Sequence, residues 1–378
     1  MGGELLQLDC DFHIHSRYSA GTSDSMNFEN IASQAPLKGL QVVGTGDALH
    51  PRWLGEMRAL AESSDGVLER DRCKFVATVE VEEMHRVHHL IFLPGIAAAE
   101  GLREALQGKS EDLDKDGRPH LRIGGAELAD LVMEAGGFLG PAHAFVPWTS
   151  VYKEYDSLKA CYGDHLKDIP FLELGLSADT HLADRIAELQ GLTFLSNSDA
   201  HSPWPNKLGR EFNRLLLREL DFRSLRRAIE GRGEERVVLN VGLDPRLGKY
   251  YSTACIRCYR SYSLQDATVS KWRCRDCSGR LKKGVRDRIG ELADYGEPRH
   301  PPHRPPYLRI APLADILALA LKVKSPYSEK VRALWSKLVT RFGSEIAVLL
   351  DVPLAEIRGE AGERVADLLK AFREKKFG

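Results

Sequence analysis

Residues 5–15 read Leu-Leu-Gln-Leu-Asp-Cys-Asp-Phe-His-Ile-His, an apolar run that ends in two histidines one residue apart. Side chains at positions i and i+2 of a strand share a face, so His13 and His15 are expected to leave the strand end on the same side. Asp199-Ala200-His201 repeats this spacing far along the chain. Because zinc, manganese and iron(II) accept imidazole and carboxylate ligands, the two pairs together predict a metal site.

Further candidate ligands also stand at the ends of apolar runs, namely Glu80, the His88-His89 pair and His143. Adjacent residues of a strand face opposite ways, so only one of His88 and His89 is expected to point at a given site. Ligands drawn from the ends of several strands are typical of barrel enzymes, which assemble their sites on one rim. A multinuclear metal hydrolase is therefore the leading hypothesis.

Strand-like apolar runs alternate with helical segments as far as about residue 240. The predicted strands are residues 5–14, 40–45, 74–81, 87–93, 137–142, 171–176 and 193–196. Helices are predicted between most of them, including 28–38, 127–135 and 179–190, each of which is followed by a glycine. This alternation predicts a mostly parallel sheet covered by helices, and about seven such units favour a barrel over an open sheet.

The segment after residue 242 has a different character. Between Arg246 and Ile289 twelve Lys or Arg residues stand against three Asp, although the whole chain of 378 residues has a net charge of -1. Cys255-x2-Cys258 and Cys274-x2-Cys277, separated by 15 residues, have the spacing of a structural zinc site with four thiolate ligands. A redox pair and a purely structural staple with a solvated surface are the alternatives.

The positive charge of this module predicts contact with a nucleic-acid backbone. The candidate DNA-binding residues are Arg257, Arg260, Lys271, Arg273 and Arg275. A proline-rich stretch at 298–306 follows, and helical patterns then cover 313–322, 328–341, 344–350 and 363–375. We therefore predict three segments: a barrel at 1–242, a basic four-cysteine module at 243–292 and a helical C-terminal domain at 293–378.

The first residues given lack the charged region and long apolar stretch that a leader segment would show, and no window reaches 18 uninterrupted apolar residues. The expectation is a reduced cytoplasmic protein, associated with the nucleoid in a bacterial or archaeal cell, without a membrane partner.

The strand-end motifs resemble the polymerase-and-histidinol-phosphatase (PHP) superfamily of metal-dependent phosphoesterases. The matching stretches are His13-Ile-His15, Gly44-Thr-Gly-Asp47, Glu80, His88-His-Leu90, Pro141-Ala-His143 and Ser198-Asp-Ala-His201. The resemblance implies a distorted barrel of about seven strands that binds two or three divalent ions (Zn, Mn or Mg). It also implies Asp199, Glu80 and His201 as catalytic residues.

Carried over position by position, the resemblance implies two sites and a third that departs from the usual pattern. One ion would use His13, His15, Glu80 and Asp199; a second would use Glu80, His143 and His89 (or His88); a third would use His201 with Asp47 or His50. Most relatives have an Asp-His pair after the second strand, whereas this chain reads Gly46-Asp47-Ala48-Leu49-His50.

A narrower resemblance links the chain to the endonuclease Q family of DNA-repair nucleases, and it spans nearly the whole sequence. It rests on residues 13–19, 43–47, 50–53 and 196–204, the four cysteines, and residues 300–307. The implied activity is hydrolysis of the phosphodiester 5′ to uracil, hypoxanthine or an abasic nucleotide in DNA, with replication or repair proteins as possible partners. Tyr18, Trp148 and Trp204 are candidates for base stacking, with ordinary loop packing as the alternative.

Two other functions fit part of the sequence. The barrel alone would support a phosphatase of small phosphomonoesters, which would tolerate deletion of residues 243–378. A nucleic-acid-binding scaffold whose barrel has lost its chemistry is the second alternative, and the nearly complete ligand set argues against it.

Overall fold

Strand β1 (Leu6–Asp11), which leads into the histidine pair, lies in the middle of the main sheet. The protein is represented by a computed structural model, which describes residues 5–63, 65–231, 233–374 and 376–377. The predicted domain ends at residues 1 and 378 therefore lie outside the described residues. None of the helices in the described part of the chain combines the length and apolar character needed to cross a membrane.

The described residues up to Gly242 contain nineteen helices and strands, in which helices and strands largely alternate. They are β1 (Leu6–Asp11), α1 (Phe28–Lys38), β2 (Val42–Gly44), α2 (Pro51–Met57), β3 (Ala61–Glu62), β4 (Val67–Arg70), β5 (Cys73–Glu82), β6 (His88–Leu93), α3 (Ile96–Ala105), α4 (Gly125–Glu134), β7 (Phe138–Pro141), α5 (Val151–Glu154), α6 (Leu158–Tyr162), β8 (Phe171–Glu173), α7 (Thr180–Ala183), β9 (Thr193–Leu195), β10 (Phe212–Leu217), α8 (Phe222–Ile229) and β11 (Arg236–Gly242). Short 3-10 helices occupy Gly163–Asp168 and Ala187–Leu189.

The seven predicted strands correspond to β1, β2, β5, β6, β7, β8 and β9, and these seven close into a barrel. Ladders join β1 to β2, β2 to β5, β5 to β6, β6 to β7 and β8 to β9. At Gly140 an added Cβ would lie 2.4 Å from the Phe171 carbonyl oxygen, so β7 passes directly against β8. A parallel bridge from Ile14 to Ala200 returns the chain to β1. The predicted α/β barrel is confirmed.

The expectation of a mostly parallel sheet is wrong. β5 pairs antiparallel with β6, and β6 pairs antiparallel with β7. Five residues connect β5 to β6, which suits a hairpin and is too short for a parallel crossover. Two strands that the sequence did not suggest, β10 and β11, form an antiparallel pair beside β1.

One predicted helix is shorter in the structure than in the sequence analysis. The helix expected over 179–190 ends at Ala183, and Asp184 leaves the helix. The Asp184 carboxylate, fully buried, accepts hydrogen bonds from Nε of Arg304 at 3.0 Å and from the His300 ring at 2.6 Å. This local structure is therefore set by a long-range ion pair with the proline-rich segment.

The rest of the chain forms the module and the C-terminal helices. After a 3-10 helix at Pro245–Leu247, its elements are β12 (Ala254–Cys255), α9 (Leu264–Val269), β13 (Leu281–Lys282), α10 (Val285–Leu292), β14 (Tyr307–Arg309), α11 (Leu313–Ala320), α12 (Glu329–Phe342), a π-helix (Ala347–Asp351), α13 (Leu354–Ala361), α14 (Glu363–Arg373) and β15 (Lys376–Phe377). Helix α13 was not predicted, and the predicted end of the last helix at Lys375 lies outside the described residues.

The C-terminal segment is built onto the barrel through a strand and a buried ion pair. β14 pairs in parallel with β11. Lys38, 2% exposed at the end of α1, places its Nζ 2.6 Å from Oε1 of the fully buried Glu345. Gly39 follows with φ 105°, and a Cβ there would lie 2.7 Å from Oγ of Ser344. The division of the chain into three segments stays a prediction. The contacts described here join the first predicted segment (1–242) to the third (293–378).

Replacing Glu345 with Gln is expected to lower the free energy of unfolding by about 3–5 kcal/mol, because the Lys38 charge would be left buried without its partner. Urea unfolding measures the change. The control is Glu100→Gln, which removes the exposed ion pair with Arg58 and is expected to cost less than about 1 kcal/mol. A similar small loss for both variants would contradict the prediction.

Candidate metal centre

The histidine pair after β1 is held in a defined orientation at the barrel rim. Both rings are buried. Nδ1 of His13 lies 2.9 and 3.0 Å from the two carboxylate oxygens of Glu173, and Nδ1 of His15 lies 3.3 Å from Oδ1 of Asp47. The Nε2 atoms of both histidines are buried without a hydrogen-bond partner among the described residues. A carboxylate on one ring nitrogen and an unpaired second nitrogen are typical of metal-binding histidines.

Glu80 lies between two groups of histidines. Its Oε1 is 2.7 Å from Nε2 of His143 and 2.8 Å from Nδ1 of His88. The same carboxylate lies 3.6 Å from Nε2 of His13 through Oε1 and 3.4 Å from Nε2 of His15 through Oε2. Glu80 therefore belongs to two candidate ligand groups and could hold an ion in either of them.

The second predicted pair completes the opposite side of the cluster. Oδ1 of Asp199 lies 3.2 Å from Nε2 of His15 and 3.8 Å from Nε2 of His13. The His201 ring centroid is 4.5 Å from that of His15. Asp199 has a φ of 48°, a left-handed backbone conformation that lets the chain turn after β9 and return both side chains to the site.

The donor atoms fit divalent ions. Three sets have ligand atoms within 4.8 Å of one another: His13 with His15 and Glu80, His15 with Asp199 and His201, and Glu80 with His88 and His143. Burial raises the pKa of Glu80, but the charges of His88 and His13 outweigh it and lower the pKa well below its usual range. For Asp199 burial likewise raises the pKa, but the contact with the His15 ring and the charge of His13 outweigh it and hold the pKa well below its usual range. Both acids are therefore available as carboxylates.

The structure selects His88, not His89, for this cluster. His88 shares the face of Glu80, and its Nε2 is held by Oε2 of Glu82 at 2.9 Å. His89 faces the other side of the strand, where its Nδ1 lies 2.8 Å from the Tyr162 hydroxyl. Burial, followed by the charge of His88, lowers the pKa of His89 to about 3. The assignment of His89 as a ligand is corrected for the physical reason that strand neighbours point to opposite faces.

Asp47 and His50 do not join His201 in a third ligand set among the described residues. The Asp47 carboxylate accepts hydrogen bonds from the Ser16 amide at 2.7 Å and the Ser19 hydroxyl at 2.9 Å, while it also supports the His15 ring. The expectation of Asp47 or His50 as a ligand is therefore corrected: Asp47 orients a ligand, and His50 packs.

Tyr18 is the residue on which His50 packs. The two rings are stacked with centroids 4.4 Å apart and 10° between their planes. The Tyr18 hydroxyl donates to Oε1 of Glu56 at 2.7 Å. His50 thus already covers one face of the Tyr18 ring, which favours packing within the loop over base stacking on that face.

Two residues of the site were not found from the sequence. Glu173 lies at the end of β8, the same kind of strand-end position that identified Glu80, so its signal was available. Arg118 lies in the long loop between α3 and α4, and its Nη1 is 3.3 Å from Oε2 of Glu80. Its Nε is buried without a hydrogen-bond partner in the described chain. No sequence pattern identifies Arg118, because the contact depends on how the loop folds back over the rim.

A cavity of about 240 Å³ opens beside the cluster. The barrel side is lined by His143, Glu173 and Asp199, and the module side by Lys249 and Tyr250. The cluster of candidate ligands therefore faces the beginning of the basic module across this cavity.

The four cysteines of the module converge as predicted. Sγ of Cys255 lies 3.5 Å from that of Cys277, and Sγ of Cys258 lies 3.5 Å from that of Cys274, with no disulfide. Four sulfurs around zinc at about 2.3 Å would be about 3.8 Å apart, so the spacing fits. A Cβ at Gly279 would lie 2.9 Å from the Cys255 sulfur and crowd the site. A hydrogen bond from the Tyr262 hydroxyl is the largest influence that lowers the pKa of Cys274, to about 6, which favours the thiolate.

The five candidate DNA-binding residues of the module are all exposed. Arg260 and Arg275 pair with Asp276 and Asp266 at the surface, and exposed pairs of this kind exchange partners at little cost. Their role in DNA binding stays a prediction.

The two predicted stacking tryptophans have different surroundings. Trp148, 39% exposed, lies at the junction of barrel and module, with Nζ of Lys282 4.3 Å from its ring centroid. Trp204, 50% exposed, faces the C-terminal helices instead. Both remain open enough for the predicted stacking, which the structure does not test.

Several known proteins resemble this chain. Residues 312–376 match the family described as the MJ0043 C-terminal domain. The uncharacterized protein MJ0043 of Methanocaldococcus jannaschii is 42% identical over 240 residues, which cover 62% of this chain but only 29% of that protein. The uncharacterized protein YqxK of Bacillus subtilis is 32% identical over 294 residues, which cover 77% of this chain and 70% of that protein.

Two solved structures match almost the whole chain. The lesion-specific endonuclease PfuEndoQ of Pyrococcus furiosus is 48% identical, with a TM-score of 0.92, and the match covers 98% of this chain and 91% of that chain. An endonuclease Q in complex with a 27-mer duplex carrying an abasic lesion at the active site is also 48% identical, with a TM-score of 0.93 over 98% and 92% of the two chains.

The fold and the site define a class of protein: an α/β barrel with a cluster of candidate metal ligands on its rim, joined to a four-cysteine module and C-terminal helices. The matches in sequence and structure extend across all three parts. The chain belongs to the endonuclease Q family.

We predict that His88→Gln lowers the metal content of the barrel, because it removes a ligand atom at 2.8 Å from Glu80. His89→Gln is the matched control, since it changes the neighbouring residue on the opposite face. Metal analysis of both folded proteins after dialysis measures the difference. If His89→Gln lost the metal and His88→Gln kept it, the assignment of His88 would be reversed.

The double variant Cys255→Ser with Cys258→Ser is expected to lose one equivalent of zinc, because a site of four thiolates cannot close with two. Metal analysis together with near-UV circular dichroism tests this. Cys161→Ala, which changes a cysteine outside the cluster, is expected to keep the full zinc content. Equal zinc content in the double variant and the wild type would rule out the zinc assignment.

Proposed function

We propose that this protein is a metal-dependent DNA endonuclease that hydrolyses the phosphodiester 5′ to deaminated bases (uracil, hypoxanthine) and abasic sites. The observation that carries the proposal is the 48% identity to a lesion-specific endonuclease over 98% of the chain. The ligand cluster supports the chemistry, and the related complex with an abasic duplex supports the substrate class. If chromosomal DNA is the substrate, the protein would act at the cytoplasmic, nucleoid-associated location expected from the sequence.

The cluster would hold two or three divalent ions, with Zn, Mn or Mg as candidates. Glu80 would bridge an ion on the side of His13, His15 and Asp199 and an ion on the side of His88 and His143. His201, about one-third exposed in its side chain, would provide the ligand nearest to solvent. When bound, such ions supply positive charge to the phosphate oxygens and make a water molecule more acidic. The module would hold one structural zinc.

The protein's own groups would position the reacting atoms. Glu173 and Asp47 fix the rings of His13 and His15 by holding their Nδ1 atoms. Arg118 has a buried Nε–H without a partner and a guanidinium beside Glu80, so it can turn toward an incoming phosphate and donate two hydrogen bonds. That contact would offset charge that develops on the phosphate oxygens during in-line attack.

The cavity of about 240 Å³ beside the cluster is the proposed place for the lesion nucleotide. A base inside a duplex must leave the stack to reach a site on the barrel rim, and this costs least for mispaired or missing bases. With the scissile phosphate at Asp199 and His143, the adjacent nucleotide would lie against Asn197 and Tyr250, which also line the cavity. Lys249 at the same edge would contact the backbone.

The basic module would bind the duplex beside this cavity. Trp148 and Lys282 lie next to Tyr250, whose ring centroid is 6.0 Å from that of Trp148. This continuous surface of cationic and aromatic side chains suits a phosphate backbone next to unstacked bases. Association with replication or repair proteins is an expectation from the resemblance alone.

The proposal is tested with end-labelled duplexes that carry one uracil, one hypoxanthine or one abasic site, in the presence of Mg²⁺ or Mn²⁺. We expect a cut on the 5′ side of each lesion and no cut in the undamaged duplex. Asp199→Asn is expected to abolish cutting while the Kd for the lesion duplex stays within about threefold, because the substitution removes a ligand charge but little DNA contact.

Asp164→Asn, an exposed acid on the 3-10 helix Gly163–Asp168, is the matched control and is expected to cut like the wild type. Turnover of nitrophenyl phosphate without any cut in the three lesion duplexes would refute the proposal in favour of a small-molecule phosphatase.

A further inference from the structure

A second cavity, of about 300 Å³, lies between the loop that follows His201 and the C-terminal helices. Five of its eleven lining residues are aromatic residues or prolines: Trp204, Pro205, Pro326, Tyr327 and Trp335. Trp204 is 50% exposed and Tyr327 is 52% exposed, which is unusual for rings of this size. This aromatic cavity shares no lining residue with the cavity beside the metal cluster.

The buried ion pair that anchors the C-terminal segment also fixes the walls of the aromatic cavity. Nζ of Lys38 donates to the carbonyl oxygen of Pro205 at 2.8 Å as well as to Glu345. The Trp335 indole N–H donates to the second oxygen of Glu345 at 2.6 Å. Pro205 and Trp335, on two walls of the cavity, are thus both held through one buried carboxylate. Because these walls are already fixed, binding of a flat ligand would cost little conformational entropy.

The chemistry of the aromatic cavity matches a nucleobase. Flat aromatic walls stack on bases of any sequence. Asn206 donates to the Tyr327 hydroxyl at 2.8 Å, while its own Oδ1 is buried without a hydrogen-bond partner in the described chain. Asn206 also lines the cavity, and a small rotation of its side chain would let that oxygen accept from the N–H groups at a base edge. Arg332 is the single charged residue in the lining, and its positive charge suits the attached phosphate.

The position of the aromatic cavity links it to the metal centre. Trp204 follows His201 by three residues, so their Cα atoms are at most about 10 Å apart. At about 3.4 Å per nucleotide along one strand, that distance corresponds to about three nucleotides. A DNA strand held at the metal cluster therefore has bases within reach of Trp204.

We infer that the aromatic cavity binds a second nucleobase of the DNA, one that flanks the lesion within about three nucleotides and is unstacked from the duplex. The inference rests on the proposed function, since it takes DNA at the metal cluster as given. The lesion nucleotide would occupy the cavity at His143 and Asp199, and the flanking base would be held between Trp204 and Tyr327. Two base contacts on opposite sides of His201 would hold the backbone bent across the ions.

Photocrosslinking locates the base. An abasic duplex carries 5-iodouracil at each of the three positions on either side of the lesion, in both strands, and is irradiated with the Asp199→Asn protein. We expect crosslinks to Trp204 or Tyr327 from one or two of these positions, identified by peptide mass spectrometry. We expect the same crosslinks to be absent with Trp204→Ala in the same background.

Steady-state cutting of the abasic duplex gives a second readout. Trp204→Ala and Tyr327→Ala are each expected to raise KM about tenfold, because each removes a ring on which a base would stack, and to leave kcat within about twofold. Trp204→Phe should restore most of the KM because it keeps a flat ring. Leu319→Ala, an exposed apolar residue on α11 outside the lining, should keep the wild-type KM and kcat.

The outcomes separate this inference from the function on which it rests. If the wild type does not cut the abasic duplex, the proposed function fails and the inference fails with it. If the wild type cuts, but Trp204→Ala and Tyr327→Ala keep its KM and no crosslink reaches either ring, only the aromatic cavity is assigned wrongly.

Discussion

One buried carboxylate holds the parts of the metal centre together. Glu173 lies at the end of β8 and is 1% exposed. Its carboxylate accepts hydrogen bonds from Nδ1 of His13, from the backbone N–H of His143 at 2.7 Å and from the side-chain amide of Asn197 at 2.9 Å. These donors come from the segments that follow β1, β7 and β9. A buried carboxylate is costly unless its lone pairs are used, and here the donors that satisfy it are the segments that carry the ligands. The charge therefore fixes the relative positions of three strand ends.

Hydrogen bonds among three buried asparagine side chains connect Glu173 to strands deeper in the barrel. Asn197 accepts from the Asn213 side chain at 2.9 Å, and Asn213 in turn accepts from Asn240 at 2.9 Å. The Phe12 amide donates to Asn197 at 3.0 Å, next to the first ligand. Strands β10 and β11 are thus connected to the metal centre by hydrogen bonds, although they supply no ligand. Buried hydrogen-bond networks of this kind restrict their side chains to few arrangements.

The sequence predicted those features that depend on local pattern. Strand ends with acids or histidines identified most of the ligand cluster, and the paired cysteines identified the second site. What depends on side-chain direction or on distant contacts was missed. The choice between His88 and His89 requires the register of the β5–β6 hairpin, in which Glu80 faces Leu90 and Glu82 faces His88. Arg118 and the end of α7 at Asp184 are decided by contacts across the chain, which no local pattern encodes.

The attachment of the C-terminal segment determines how this protein can be divided. β14 covers the edge of β11 through parallel pairing, and Glu345 neutralises Lys38 at the end of α1. A barrel separated from residues beyond 306 would show an unpaired strand edge, which invites edge-to-edge association, and would keep a lysine in an apolar environment without its counter-ion. The C-terminal segment thus completes both a strand edge and a buried charge pair of the barrel, and recombination of this barrel with other C-terminal domains would have to replace both contacts at once.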